Sequence, residues 1–483
     1  MLARDLLRMD FPRNSDGTAV RVLRVARGTE DRSPAPSTVA IEPAVYSKGM
    51  ATVSLVADAD ALYDPEHGIL RHPKTKGRQA ERRAYVSYFS DGTLRYEAPV
   101  GLRLHGDSSR DWPAKSFQLI FRRGYFEPKS SQNIFFGGTS KPFRRLVLRS
   151  GWHHRRIGNY VAEQIAAKVG CTVSQAEPTH VFLNGERLPS GYFLVEHQSR
   201  TFLENRYGHD DFAWVRLKGD RGNVPEYNEL LRWVGDRKAK KTMLEVSRRF
   251  ALDEICAWVT AVSFCDTRDA DQGAYYLDRR SADAVWRCLT WDMDASFLGP
   301  STRKIKRVLP FSDKPTGLRA TLFRKLCDND PNFLSYYVRF VTEALNHRVD
   351  PRTMQELLGK AAAIQDAFGS SDRAEHHLES IRAILRRRPA KFRRWMTEHF
   401  DAGDFHACTV TGVVGAFTVD SYPKQADFRG AYPAGASLVV KLADDAPEPT
   451  AWEVNGQRRE GGRRQLRLDV QEETTIKPIY RED

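Results

Sequence analysis

The chain is expected to fold as an α+β protein, strand-rich in its first half, helical in its second, with a small all-β module at its C-terminus. Three observations predict this. Apolar residues alternate between turn signals over residues 51–196, as half-buried strands require. From about residue 226 to 400 they recur at helical spacing, broken by two short strand-like runs. Beyond residue 404 the pattern returns to short β pieces divided by Gly, Pro and Asp. With 483 residues, 41% hydrophobic and 28% charged, the chain has room for two to three domains with sizeable cores.

Residues 1–45 are rich in Arg, Asp, Ser and Pro and read as a polar lead-in, with one early strand at 19–25. Strands follow at 52–56 and 84–89, the second ending in the hairpin signal Ser90-Asp91-Gly92. Further strands are expected at 100–105, 116–121 and 145–149. Over 156–169 the residues Ile157, Tyr160, Val161, Ile165, Ala166 and Val169 share one helical face, and Gly170 is a natural stop. A hairpin comes next: 180–183, a turn at Asn184-Gly185, then 191–196. Within the helical half, strands should bracket 275–277 and 285–291. The run 375–400 is strongly basic and should be interrupted or kinked at Pro389. Short strands at 410–419 and 437–442 belong to the last module.

The net charge is +13, from 75 Lys+Arg against 62 Asp+Glu. Such a balance favours anionic partners, whether nucleotide phosphates, acidic peptides or nucleic acid, without choosing among them. The six cysteines (Cys171, Cys256, Cys265, Cys288, Cys327, Cys408) show no CxxC spacing, which argues against a zinc ribbon or disulfide framework and for buried free thiols. Residues 1–14 lack an apolar h-region, and no apolar run approaches the length of a membrane span. A soluble cytoplasmic protein without a membrane partner is expected, unless a leader has been removed.

The stretch Leu289-Thr290-Trp291-Asp292-Met293-Asp294-Ala295-Ser296-Phe297 sets two carboxylates in an apolar, aromatic run. Carboxylates beside a core need a cationic partner. On an extended strand, residues i and i+2 project to one face, so Asp292 and Asp294 would reach one hard cation such as Mg²⁺ or Mn²⁺. A strand end salt-bridged to the chain's many Arg residues fits the same pattern. Both readings stand on the residues alone.

Three blocks in order resemble the CotH kinase family, the spore-coat-protein-H-like atypical protein kinases of bacteria. The first runs from Gly101 through His105-Gly106-Asp107-Ser108-Ser109-Arg110 to Lys115-Ser116-Phe117. The second runs from Leu146-Val147-Leu148-Arg149 through the helix to Asn184-Gly185-Glu186 and Tyr192–Glu196. The third is Asp269, then Tyr275-Tyr276-Leu277, then Trp291-Asp292-Met293-Asp294. The similarity spans about residues 45–400. It implies a two-lobed, protein-kinase-like fold: a β-rich N-lobe over 46–200, a mostly helical C-lobe over 201–403, and a small β-sandwich-like accessory module over 404–483. It also implies phosphate transfer from ATP to Ser or Thr of partner proteins.

Phosphoryl transfer needs positioning and charge neutralisation more than covalent chemistry. Gly106, Ser108, Ser109 and Arg110 would form the phosphate cover, or else an ordinary hairpin loop. Lys115, opening the next strand, would reach the α and β phosphates. Glu163, the acid of the helix after Arg149, is the candidate partner of Lys115; a solvated helix face is the alternative. Glu196 closes an apolar strand and would serve the nucleotide cleft or bind a buried Arg such as Arg149, itself counted with the nucleotide-binding set. Asp269 would be the catalytic-loop carboxylate, with Asp266 and Asp271 as rivals. Asp292 and Asp294 would hold metal.

Two departures from the family stand out. Relatives tend to carry a metal-ligating Asn just before the Tyr pair, where this chain has Ala274; Gln272 or Asp271 would have to substitute. The helix that family members often open with Arg-Asp or Arg-Asn here has Gly158-Asn159, with Arg155 and Arg156 just upstream, near a helix N-terminus that favours anions. Arg303, Lys304, Lys306 and Arg307 suit an acidic peptide or a solvated loop. The run Arg386-Arg387-Arg388 with Arg393-Arg394 shares a helix with core-type Leu385, Phe392 and Trp395, so a solvated face is favoured over nucleic-acid binding. No role is assigned to His153-His154 or His376-His377.

The expected activity is thus an ATP- and Mg²⁺- or Mn²⁺-dependent CotH-type kinase acting on Ser or Thr of a protein or peptide, with the last module serving docking or attachment. Rivals are transfer of a nucleotidyl or acyl group and a nucleotide-binding pseudokinase scaffold. Nucleic-acid binding comes last, because no basic-aromatic recognition motif is present.

Overall fold

The computed structural model describes residues 22–25, 37–40, 50–122, 135–136, 143–150, 155–189, 191–217, 224–268, 270, 272–298, 317–369, 371–460 and 464–481. The chain is α+β. It divides into two compact units: Met1–Tyr160 with Val173–Trp214 and Lys360–Leu378, and Val161–Thr172 with Val215–Gly359 and Glu379–Asp483.

In the first unit, β1 (Val22–Val25) and β2 (Ser37–Ala40) form an antiparallel pair. The main sheet is built from β3 (Ala51–Ala57), β4 (Arg82–Ser90), β5 (Thr93–His105), β6 (Ser116–Ile120), β7 (Arg145–Arg149), β8 (Ala176–Leu183), β9 (Glu186–Arg187) and β10 (Tyr192–Glu196). Its order is β10-β7-β6-β5-β4-β3-β8-β9, and an additional β10–β8 pairing closes seven of these strands into a ring. Closure removes open edges that would otherwise template pairing with other chains. Inward residues at alternate positions form the core, among them Val53, Leu55, Val86, Val100, Leu119 and Leu148. A short helix α1 (Ala59–Tyr63), capped by the Asp58 side chain, adds buried Leu62 to this core.

The hairpin signals act as the residues dictate. β8 and β9 turn at Asn184-Gly185, whose φ angles of 51° and 88° suit a type I′ turn. The Asn184 amide also bonds both backbone groups of Ala57, at 2.8 and 2.9 Å, which ties this turn to the end of β3. Helix α2 (Arg156–Val169) spans the expected residues, with Ile157, Val161, Ile165, Ala166 and Val169 buried. Helix α3 (Arg200–Tyr207) ends at Gly208.

The second unit carries the three-stranded sheet β11 (Phe212–Arg216), β12 (Ala274–Asp278) and β13 (Arg287–Leu289), β11 beginning in the first unit. The same unit carries α4 (Pro225–Gly235), α5 (Met243–Ser247), α6 (Leu252–Phe264), α7 (Leu318–Asn329) and α8 (Phe333–Glu343), together with the first part of α9 (Pro351–Phe368) and the last part of α10 (Asp372–Phe400), whose residues from Lys360 to Leu378 belong to the first unit. From Glu254 to Phe264 every residue of α6 is buried, as a central helix that is apolar nearly all round should be. Its one acid there, Glu254, bonds Arg287 and the N–H of Cys288, both at 2.8 Å.

Pro389 neither ends nor interrupts α10, which continues to Phe400. Proline removes one N–H bond and crowds the preceding turn, a cost of about 3 kcal/mol. Buried Leu385 and Arg388 before it, and Phe392, Trp395 and Met396 after it, hold both halves against the core and offset that cost. The basic run splits accordingly: Arg388 is buried, while Arg386, Arg387 and Arg394 are exposed.

Among the described residues, nine strands follow: β14 (Phe405–Val410), β15 (Phe417–Val419), β16 (Tyr422–Lys424), β17 (Phe428–Pro433), β18 (Ser437–Leu442), β19 (Ala451–Val454), β20 (Gln457–Glu460), β21 (Gln465–Asp469) and β22 (Thr474–Ile479). They make a five-stranded sheet, β17-β14-β22-β19-β20, and a four-stranded one, β16-β15-β18-β21, around Val410, Phe417, Leu438, Val440, Trp452 and Ile476. His347, in a π turn after α8, stacks on Tyr422 at 4.4 Å and Phe428 at 5.3 Å, which binds these strands to the helices of the same unit.

The six cysteines are free thiols, all but Cys327 buried, and burial pushes the Cys171 thiol up to about 12. Among the described residues, no helix is long and apolar enough to cross a membrane.

Candidate active site

In the first unit, β5 and β6 are joined by the loop from Gly106 to Lys115. Ser108–Asp111 form a single 3-10 turn within it. Arg110 turns inward: its Nε donates to the Gly106 carbonyl at 2.7 Å and its Nη1 to the Thr75 carbonyl at 2.9 Å. These bonds make Arg110 a brace of the loop, and burial lowers its pKa. Ser108 is exposed and Ser109 half-buried. The half-buried Lys115 folds its Nζ onto the Arg110 carbonyl at 2.7 Å, and its own carbonyl accepts the Tyr192 hydroxyl at 2.9 Å. The ammonium therefore sits beside the loop that precedes it. Arg149 ends β7, opposite Phe193 of β10.

Glu196, at the end of β10, is 4% exposed. Its carboxylate is held by Arg206 of α3, whose Nη1 lies 3.1 Å from each oxygen, so an arginine does bind it. One turn of helix separates Arg206 from Phe202, and the guanidinium lies over that ring at 3.4 Å. Burial holds the Glu196 carboxyl above its ordinary range, with Arg206 pulling the other way. Arg206→Met should thus destabilise the fold by about 3–5 kcal/mol near neutrality, the cost of stranding a buried charge. Because the folded-state pKa is raised, protonation adds stability that is fully present below 4.5 and lost as pH rises through the folded value. Urea midpoints should show a larger deficit for Arg206→Met at pH 8 than at pH 5; equal deficits would remove Glu196 as the cause.

In the second unit, β13 ends at Leu289, and Asp292 and Asp294 lie beyond it on irregular chain. The strand expected over 285–291 is therefore shortened to Arg287–Leu289, and the extended strand that would set both carboxylates on one face is not formed. Asp292 has φ 62°, in the left-handed region, and Asp294 opens a turn. Asp and Ala are poor strand formers, whereas Asp is among the few residues that tolerate left-handed backbone. Both carboxylates are partly exposed.

Glu163, buried on α2, accepts the backbone N–H of Asp292 at 3.1 Å. Lys115 and Glu163, paired on sequence grounds, fall in different units. What Glu163 does within its own unit is hold the backbone of the Asp292 turn.

The chain before position 269 is fastened to the chain after Asp294. Arg268 N–H donates to the Ala295 carbonyl at 3.2 Å, Phe297 N–H to Cys265 at 3.0 Å, and the Thr267 and Ser296 hydroxyls meet at 2.6 Å. Asp266, a rival for the catalytic role, is buried at the end of α6. The Gln272 carbonyl accepts from Arg319, and Ala274 is fully buried at the start of β12. Gly273 between them has φ 136°, and a Cβ there would lie 2.1 Å from the Leu289 carbonyl oxygen.

Asp269, Asp271, the basic residues at 303–307 and His153-His154 lie outside the described residues. Among the described residues, no three His, Cys, Asp or Glu side chains gather as a metal-binding group. Asp292, Asp294 and the Gln272 amide are nonetheless hard oxygen donors, suited to a cation that keeps several waters, as Mg²⁺ does. Sequence reasoning passed over Arg319, Thr267 and Ser296. Nothing in their local pattern marks them, because their partners come from distant segments.

The profile of the CotH kinase protein family matches residues 102–397. Among solved structures, a Helicobacter pylori proinflammatory kinase, CtkA, is 13% identical, with 52% of this chain and 90% of that chain covered and a TM-score of 0.28. The Golgi casein kinase is 8% identical, with 74% of this chain and 75% of that one covered and a TM-score of 0.29. No curated protein matches the chain.

Proposed function

Because the chain belongs to the CotH kinase family, we propose that it transfers the γ-phosphoryl group of ATP to a Ser or Thr hydroxyl of a protein or peptide. Lys115 neutralises the α and β phosphates under the loop of Gly106, Ser108 and Ser109. Arg149 and Glu196 support the nucleotide side. Asp269 accepts or orients the proton of the acceptor hydroxyl. Asp292 and Asp294, with Gln272, would hold the divalent cations, which would supply neutralisation of phosphate charge. The strands beyond Phe405 serve substrate docking or attachment, and an acidic segment suits the basic residues at 303–307.

The observation that carries this reading is the fastening of segment 265–268 to 295–297, together with the bond from Asp292 N–H to Glu163. Catalysis by positioning needs its carboxylate-bearing segments held in a fixed relation, since small misplacements of reacting groups are costly. A second reading, a nucleotide-binding scaffold without transfer, is favoured by Ala274, whose methyl group offers no ligand where the family resemblance implies Asn.

The test is incubation with γ-labelled ATP, Mg²⁺ or Mn²⁺, and proteins encoded nearby, using wild type and Asp269→Asn. Wild type should label a substrate, and Asp269→Asn should lose about 10²–10⁴-fold in rate, the usual worth of a positioned base. Equal labelling by the variant would overturn the Asp269 assignment. Nucleotide binding without labelling would favour the scaffold. Intact-mass analysis separates phosphate from adenylate or acyl addition.

A further inference from the structure

Arg319, at the second position of α7, is fully buried, at 0% exposure. A buried guanidinium is costly unless its donors are satisfied. Its Nη2 donates to the Gln272 carbonyl at 3.0 Å and approaches the Ala270 carbonyl at 3.5 Å. Its Nη1 approaches the Thr290 hydroxyl at 3.5 Å. The guanidinium lies over the Trp258 ring at 4.2 Å, and the Trp258 indole N–H donates to the same Ala270 carbonyl at 3.3 Å. All of these residues belong to the second unit.

The acceptors fall on two segments far apart in sequence. Ala270 and Gln272 follow Asp269, and Thr290 precedes Asp292 by two residues. We propose that Arg319 is a positioning residue: its guanidinium cross-braces Ala270 and Gln272 with Thr290, restraining in one step the described backbone on the acceptor side and the metal side of the proposed site. This inference rests on the functional reading above. A planar fork spreads five donors over three nitrogens and reaches acceptors on both segments at once, whereas an ammonium gathers its three donors on a single nitrogen. Trp258 supports the arrangement from below by sharing the Ala270 carbonyl and stacking on the fork.

The experiment uses the full chain with Arg319→Lys and, as a milder variant, Thr290→Val, which deletes only the hydroxyl. Hydrogen exchange read by mass spectrometry should rise for Arg319→Lys in peptides covering 265–275 and 288–294 together. The strands over 405–479 should exchange as in wild type. Steady-state phosphate transfer should show kcat down by about 100-fold with the KM for ATP nearly unchanged, because misplacement by about 1 Å is worth that much. Thr290→Val should lower kcat several-fold with the same KM, a split that loss of folded protein alone would not produce. Exchange that rises in neither or only one segment, or wild-type kcat in folded Thr290→Val, would overturn the brace. Absence of transfer by wild type would overturn only the functional reading, and the exchange pattern would still decide the brace.

Discussion

Asp292→Asn is expected to lower phosphate transfer by about a thousandfold, equivalent to about 4 kcal/mol of transition-state stabilisation, with the fold intact. The choice of Asn follows from the backbone. Asp292 sits at φ 62°, and Asn tolerates that region nearly as well, whereas Ala would add strain of its own. The amide matches the carboxylate in size and leaves the Asp292 N–H free to keep its bond to Glu163. What it removes is the negative charge that a hard divalent cation requires. Thermal melts should place the variant close to wild type without nucleotide. Added ATP with Mg²⁺ should raise the melting temperature of wild type and leave that of the variant nearly unmoved. Label transfer that survives the substitution would sink the metal assignment.

Gly273→Ala should destabilise the second unit by about 3–4 kcal/mol, combining backbone strain with an overpacked contact. At φ 136° an L-residue is strained, and its Cβ would meet the Leu289 carbonyl oxygen at 2.1 Å. That atom is backbone and cannot rotate away. On the other side, the Gly273 carbonyl accepts the Leu217 N–H at 3.1 Å, so the residue is hemmed in between two segments. Relief would require β12 to move from β13, whose register pairs Ala274 with Leu289. Gly359→Ala is the matched control: it lies on α9 with nothing within 4 Å of an added Cβ. It should be neutral or stabilising by up to about 1 kcal/mol. Denaturation curves that coincide for the two variants would show that Gly273 is not constrained.

Much of the local structure was legible because local signals decide it. The apolar face from Ile157 to Val169 specifies α2, since five residues at helical spacing can be buried together in only one conformation. Asn184-Gly185 specifies its hairpin for an equally local reason, left-handed backbone at two successive residues. Reading failed where a local rule met a tertiary contact. Pro389 is expected to interrupt or kink its helix; the interruption does not occur, because buried side chains on both sides of it hold the helix in one piece. The strand expected over 285–291 stops at Leu289, and beyond it Glu163 of α2 accepts the Asp292 N–H that a ladder partner would otherwise have used.

By itself the sequence determined the kinase family and the succession of a strand-rich half and a helical half, and it singled out the two carboxylates of Trp291-Asp292-Met293-Asp294 as candidates. Those depend on residue type and spacing, which a linear pattern records. Only the tertiary structure decided which groups restrain one another. Arg206 lies on Glu196, Arg110 braces its own loop against the Thr75 carbonyl, and Arg319 reaches both Gln272 and Thr290. The physical reason is that a hydrogen bond or a buried ion pair depends on distances of about 3 Å between atoms, which sequence separation does not encode.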